Sequence, residues 1–376
     1  MQAEMKQIKN VKNNKFLVIS FKATLLAIIL SACDKSGSAF SVGSTSQSFQ
    51  QTTQSTVQKK IDILWVVDNS ASMGPFQQKL VTNFNSFIQD FVKKGYDFHI
   101  AVTTTEAYLS GGFFTNNLSY SVFKDGTGTT HTGFPIIDQT TPNIVPTFTT
   151  NANQGGQGSG DENAFSSIKA AFANTANASF LRPDSFLGVI ILSDEDDFSD
   201  PSRQQYSWSF QGGIADHDYM NPGLDTVDSY VSYLDLLTHS TSPTSRKYNV
   251  SAVTVLDSTC LNSHKAESAT TIIGKRYMDL VTKTGGVLGD ICSADYALAL
   301  TQIEQKIIEL STQFFLSRQP IPSSIRIVVD NVLIAQDAVN GWTYDATNNS
   351  ITFHGTAVPQ QGAAISVRFD PATVGS

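Results

Sequence analysis

The sequence predicts a doubly wound α/β fold, a mostly parallel sheet with helices on both faces, followed by a small all-β appendage at the C-terminus. Two observations carry this. Short apolar runs suited to buried parallel strands, Ile61 to Val67 (IDILWVV), Phe98 to Thr104 (FHIAVTT), Phe186 to Ser193 (FLGVIILS) and Tyr248 to Leu256 (YNVSAVTVL), alternate with segments of helical period. After Gln319-Pro320-Ile321-Pro322 the period falls to two, in Ile325, Ile327 and Val329, then Ile351 and Phe353, then Ile365, Val367 and Phe369, with Asn340-Gly341, Asn348-Asn349 and Gln361-Gly362 as turns.

Along the chain, five lysines (Lys6, Lys9, Lys12, Lys15 and Lys22) precede the apolar run Ala23 to Leu30, the order of a secretory signal and too short for a permanent membrane span. The run ends in Leu30-Ser31-Ala32-Cys33, which resembles a bacterial lipoprotein signal. That resemblance implies a signal peptide over residues 1–32 and a diacylglycerol on the thiol of Cys33. It places the protein in the cell envelope, lipid-anchored at the periplasmic face or at the outer membrane or cell surface. An ordinary signal-peptide end that contains Cys is the alternative. Residues 33–58 hold few large apolar side chains and no period, so a flexible tether is expected there. Of the 376 residues 40% are hydrophobic and 15% charged, a folded, water-soluble composition. The formal net charge is -8, and setting aside residues 1–32 leaves 20 basic against 32 acidic side chains. A net of -12 argues against nucleic acid or an anionic membrane surface as the main partner.

The α/β domain is expected over residues 59–317. Its first strand leads into a helix marked by Phe76, Leu80, Phe84, Phe87, Ile88 and Phe91 and stopped by Gly95. Further helices are predicted over residues 161–176, 225–238, 266–282 and 294–317, and long loops over 105–160 and 198–224, of a length that is functional or mobile in a compact domain. The appendage, 320–376, is too small for a self-sufficient core and is expected to lean on the α/β domain. With Cys33 acylated, Cys260 and Cys292 remain as an even pair in an oxidising compartment. A disulfide is the natural outcome there, and two separate buried thiols the alternative.

In open α/β sheets the site lies at the carboxyl ends of the strands. The first strand exits into Asp68-Asn69-Ser70-Ala71-Ser72, where one carboxylate and two hydroxyls at alternate positions can converge on a hard divalent cation. Another strand exits through Ser193 into Asp194, a second carboxylate that this topology can face toward Asp68.

This arrangement resembles the von Willebrand factor type A domain (VWA domain) and its metal-ion-dependent adhesion site. The resemblance implies that Asp68, Ser70 and Ser72 form the first metal loop and that Asp194 supplies the last ligand. The family uses a Thr in a middle loop, where this chain has Gly158-Ser159-Gly160-Asp161-Glu162-Asn163-Ala164. Ser159 is the best match and keeps the hydroxyl, while Asp161 or Glu162 can serve instead. The family further implies a Mg²⁺ ion, or Mn²⁺ or Ca²⁺, whose shell is completed by a carboxylate from a protein partner: binding or adhesion rather than turnover. The wider pattern of Leu181-Arg182-Pro183-Asp184, a Ser-Asp-Glu-Asp-Asp strand exit, a Cys pair and a β appendage around Gly341-Trp342-Thr343-Tyr344 resembles bacterial VWA-domain lipoproteins. A structural lipoprotein whose metal loop is vestigial or only stabilises the fold is the second reading.

Plainer readings stand beside these. Ser70 and Ser72 can cap the following helix, with Asp194 opening a turn. Glu195, Asp196, Asp197 and Asp200 read as a solvated acidic loop, and Asp216-His217-Asp218 as surface. Ser166-Ser167-Ile168-Lys169 and Lys283-Thr284-Gly285 match two boxes of penicillin-binding serine enzymes, yet no S-x-N or S-D-N element lies between them. Packing of Phe165, Ile168 and Phe172 accounts for that helix, so no catalytic residue is assigned.

Overall fold

The computed structural model describes residues 49–56, 60–112, 114–160, 162–200, 222–264 and 271–372. The expected signal peptide, Cys33, the Asp216-His217-Asp218 segment and most of the loop over 198–224 lie outside these residues. Fifteen strands are described: β1 (Phe49–Thr56), β2 (Lys60–Val67), β3 (Asp97–Thr104), β4 (Gly126–Thr127), β5 (Thr130–His131), β6 (Ile136–Asp138), β7 (Phe186–Leu192), β8 (Tyr248–Thr254), β9 (Leu288–Asp290), β10 (Phe314–Phe315), β11 (Arg326–Val329), β12 (Val332–Ile334), β13 (Trp342–Asp345), β14 (Ser350–Phe353) and β15 (Ala364–Phe369). The α-helices are α1 (Gly74–Lys93), α2 (Ile144–Ala152), α3 (Ala164–Ala173), α4 (Val227–Leu237), α5 (Ser258–His264), α6 (Lys275–Thr284) and α7 (Ala297–Thr312). Among the described residues no helix is long and apolar enough to cross a membrane.

The central sheet runs β6-β3-β2-β7-β8-β9, parallel throughout except for the antiparallel edge strand β6. β2 is buried on both faces, which is why its sequence reads as an unbroken apolar run. Ile61, Ile63, Trp65 and Val67 point into the core shared with Phe84 and Phe91 of α1, Phe148 of α2 and Ile307 of α7. Leu64 and Val66 point into the core shared with Phe165 of α3, Tyr230 of α4 and Tyr277 of α6. The chain leaves β2 for β3 on one side and returns to β7 on the other, so the sheet's switch point lies between β2 and β7, where open α/β sheets form clefts.

Several expectations need correction. The tether predicted over 33–58 does not extend through its last part: β1 pairs antiparallel with β15, at the edge of the sheet β1-β15-β11-β12. An open strand edge offers backbone donors and acceptors to any extended segment, so this pairing needs no apolar pattern in the added strand. The loop predicted over 105–160 contains the hairpin β4-β5, edge strand β6 and helix α2. Phe148 of α2 stacks on Phe84 at 3.5 Å between ring centroids and meets Trp65 edge-on at 5.5 Å. A helix predicted from residue 266 begins instead at Lys275.

The C-terminal strands share the core on the α1 and α7 side. Ile327, Trp342, Ile351 and Phe353 belong to the same buried cluster as Phe91 and Ile307, and the Tyr96 hydroxyl donates to the Pro359 carbonyl at 2.8 Å. His354 Nδ1 lies 3.1 Å from Glu309 Oε1 on α7.

Cys260 of α5 and Cys292, just beyond β9, are joined by a disulfide with Cα atoms 5.6 Å apart and 32 positions apart in sequence. A loop of that length is worth roughly 3.5 kcal/mol by the chain-entropy account. Reduction is therefore expected to lower the urea midpoint of purified protein, and Cys292→Ser to lower it by the same amount without reductant. Two thiols titrating in unreduced native protein would refute the bridge.

Candidate functional site

The first loop leaves β2 at the switch point. Asp68 is fully buried; its Oδ1 accepts the Ser70 N–H at 2.8 Å and its Oδ2 accepts the Ser193 hydroxyl at 2.7 Å. The Ser70 and Ser72 hydroxyls lie 3.1 Å apart, and Ser72 donates to Asp194 Oδ1 at 3.1 Å. Thr271 donates to Asp194 Oδ2 at 3.3 Å. Asp68, Ser70, Ser72 and Asp194 thus form one connected cluster across two strand exits. Ser70 precedes a short 3₁₀ turn but makes no side-chain cap bond, so capping does not account for its hydroxyl.

Two residues that sequence reasoning did not single out hold the loops together. Gln77, at the start of α1, donates to the carbonyls of Asp68 (2.8 Å) and Gly155 (2.9 Å), and its Oε1 accepts the N–H groups of Gln154 (3.0 Å) and Gly155 (3.1 Å). Glu106, just past β3, accepts the Asn69 side-chain amide on one oxygen (3.1 Å) and the Ser159 N–H on the other (2.8 Å). The signals were a polar residue inside an apolar helix face and a carboxylate at a third strand exit. The middle loop also donates the Gly158 N–H to the Asn69 carbonyl at 2.7 Å, and a Cβ on Gly158 would lie 2.7 Å from that same oxygen, so only glycine fits.

This clamp brings Ser159 and Glu162 to the cluster, while Asp161 lies outside the described residues. The Ser159 hydroxyl oxygen and both carboxylate oxygens of Glu162 are buried without a hydrogen-bond partner. Burial, then the nearby Asp194 charge, pushes the Asp68 carboxyl up to about 7. Burial also raises Asp194, against the hydroxyls of Ser72 and Thr271. Glu162 is raised well above the usual range by burial, by Asp68 and by Glu195; the Thr105 hydroxyl opposes this but makes no hydrogen bond of normal geometry. What acts on Asp68 and Glu162 is thus burial and other carboxylates, offset by hydroxyl and amide donors.

The donor set is oxygen throughout, in hydroxyls and carboxylates, and its Ser159 hydroxyl is buried and unmatched. Both features fit a hard divalent cation held by Asp68, Ser70, Ser72, Ser159 and Asp194. When bound, such an ion would supply positive charge at the switch point.

The acidic run after Asp194 is not the solvated loop expected. Glu195, Asp196 and Asp197 are at most 2% exposed. Asp196 accepts the Arg276 backbone N–H at 3.0 Å, in the first turn of α6, and Asp197 accepts the Phe165 N–H at 2.9 Å, in the first turn of α3. The Arg276 guanidinium pairs with Asp197 at 3.1 Å. Helix starts brought in by the fold, with one arginine, satisfy carboxylates that in sequence look like surface charge.

Beside α3 lies a cavity of about 720 Å³ lined by Tyr108, Phe114, Ser166, Lys169, Phe172 and Tyr233 among others. Lys169 is paired with Asp225 at 2.9 Å and lies over the Tyr230 ring at 4.8 Å.

Neither a family model nor a curated protein matches the sequence. Among solved structures, the pilus adhesin SpaC of Lactobacillus rhamnosus GG in its open conformation is similar at 13% identity and TM-score 0.39, over 83% of this chain and 38% of that one. Proximal thread matrix protein 1 from the mussel byssus is similar at 11% identity and TM-score 0.34, over 69% of this chain and 50% of that one. The chain therefore spans half or less of the length of either protein. Likenesses this loose leave function to be read from this chain's own residues.

Proposed function

We propose that the protein is an envelope-anchored module of VWA type that binds a protein partner through a divalent cation, Mg²⁺ or alternatively Mn²⁺ or Ca²⁺, and that the lipid on Cys33 holds it at the membrane. The observation that carries the reading is the junction of Asp68, Ser70, Ser72 and Asp194 at the switch point, beside the unmatched Ser159 hydroxyl. Asp68 and Asp194 would balance the ion's charge, and the serine hydroxyls would add neutral ligands that leave a coordination position open. A partner carboxylate at the mouth then completes the shell, so recognition requires the metal and involves no bond making or breaking. The Lys169–Asp225 pair counts against the serine-enzyme match, which needs that lysine at Ser166.

The test is capture of partners from envelope extract by the full chain. Capture is expected with Mg²⁺, lost on adding EDTA and restored by returning Mg²⁺; the Asp68→Ala variant should capture none of the EDTA-sensitive proteins. Identical capture by both forms, with and without EDTA, would sink the reading.

A further inference from the structure

We infer that Glu162 is a third carboxylate ligand of the same site, and that it makes the site an all-protein cage suited to Ca²⁺ in preference to Mg²⁺. The inference rests on the metal-site reading above and goes beyond the ligand set of Asp68, Ser70, Ser72, Ser159 and Asp194. It starts from one side chain: Glu162 is 1% exposed, and neither carboxylate oxygen has a hydrogen-bond partner. Ionised, a buried carboxylate in that state costs several kcal/mol, and it escapes that cost only by keeping its proton or by meeting a cation.

The backbone around Glu162 is fixed on both sides. Its carbonyl accepts the Phe198 N–H at 2.7 Å, tying it to the exit of β7, and three residues earlier the Ser159 N–H is held by Glu106, which also grips Asn69 of the first loop. The charges of Asp68, Glu195 and Asp194 all act on this buried carboxylate, which puts it among the acidic groups of the two strand exits. Two buried groups of the middle loop, the Ser159 hydroxyl and the Glu162 carboxylate, are thus unmatched.

The choice of metal follows from the count of oxygens. Asp68, Asp194 and Glu162 offer three carboxylates, and Ser70, Ser72 and Ser159 offer three hydroxyls. Ca²⁺ takes six to eight such oxygens in flexible geometry, with carboxylates binding through one or both oxygens. Mg²⁺ demands a tight octahedron, loses water reluctantly and is held through one or two carboxylates. Three carboxylates outweigh the dication by one charge, so the ion stays resident without a partner, and the partner's group adds specificity more than metal affinity.

The test uses the metal alone. Calorimetry with Ca²⁺ and with Mg²⁺ is done on wild type, Glu162→Gln, Glu162→Asp and Asp68→Ala. Tb³⁺ luminescence lifetimes in H₂O and D₂O count the waters on a Ca²⁺-like ion. Wild type should prefer Ca²⁺ by about tenfold or more. Glu162→Gln, nearly isosteric, should lose most of that preference, bind Tb³⁺ with about one extra water and gain less thermal stability from Ca²⁺. Glu162→Asp, which keeps the charge on a shorter arm, should fall between and covers the case in which the Gln variant does not fold. Unchanged Ca²⁺ affinity and Tb³⁺ hydration in a folded Glu162→Gln, with Asp68→Ala defective, would overturn the role of Glu162 alone. No binding of either cation by wild type, or full binding by Asp68→Ala, would overturn the metal-site reading itself.

Discussion

Replacing Asp68 by Ala is expected to weaken divalent-cation binding at least about 100-fold, roughly 2.8 kcal/mol, with Asp194→Ala close behind. Asp68 is fully buried on the most constrained of the three loops, and its two oxygens also organise Ser70 and Ser193, so the variant loses a ligand and the geometry of its neighbours. Asp194 anchors Ser72 in the same way. Ser159→Ala removes one neutral oxygen that makes no other bond, and about a tenfold loss is expected. Calorimetry on variants checked for folding by circular dichroism separates these cases. Asp68→Ala that is folded and binds like wild type would leave the structural-lipoprotein reading as the better account.

The same burial sets a pH dependence. Asp68 is raised from 3.8 to about 7, so its proton is retained on folding across that interval while the unfolded chain releases it. The stability it contributes is fully present below 3.8 and is lost as pH rises to about 7. Metal-free protein in EDTA should therefore lose thermal stability between about pH 4 and pH 7. A bound cation requires the ionised form, so metal affinity should rise over the same interval, and saturating metal should flatten the fall in melting temperature. A melting temperature in EDTA that climbs steadily to pH 7 would contradict this.

What the sequence made legible was local. An unbroken apolar run such as Ile61–Val67 announces a strand buried on both faces, and a polar D-x-S-x-S directly after it announces a strand exit, so the four central parallel strands and the residues gathered at the switch point could be read from the chain, while the short edge strands β6 and β9 could not. What escaped was tertiary. Glu106 and Gln77 matter because of loops far from them in sequence, and their local signals, a carboxylate at a strand exit and a polar residue on an apolar helix face, do not name those partners. The burial of Asp196 and Asp197 depends on helix starts and an arginine that only the fold delivers. β1 escaped because strand addition at an open edge uses backbone groups common to every sequence, and α2 because its apolar residues sit in a stretch of Thr, Asn and Gly that reads as loop.

Arg182→Met is expected to give the largest loss of stability, about 3–5 kcal/mol, because it strands a buried charge. Asp62 lies within β2 with no solvent exposure; it accepts Arg182 Nε and the Arg182 backbone N–H, each at 2.8 Å, and the guanidinium pairs with it through Nη2 at 2.7 Å, so the substitution leaves only the backbone bond. The guanidinium also pairs with Asp97 and reaches the Ile61 and Asp97 carbonyls, so one side chain joins β2, β3 and the turn before β7. Removing it leaves the carboxylate in the sheet with His99 Nδ1 at 3.9 Å as its nearest basic group among the described residues. Urea unfolding should show the loss, and Asp62→Asn in the same chain should recover much of it by replacing the stranded charge with a neutral amide. A loss below about 1 kcal/mol would mean that water or a rearranged neighbour replaces the guanidinium. Asp62 and Asp68 are six residues apart along an extended chain, about 20 Å. The pair therefore sits at the opposite end of β2 from the Asp68 cluster, and Arg182→Met, wherever it remains folded, should bind cations like wild type; a parallel loss of metal affinity would show that the two ends of the strand are coupled.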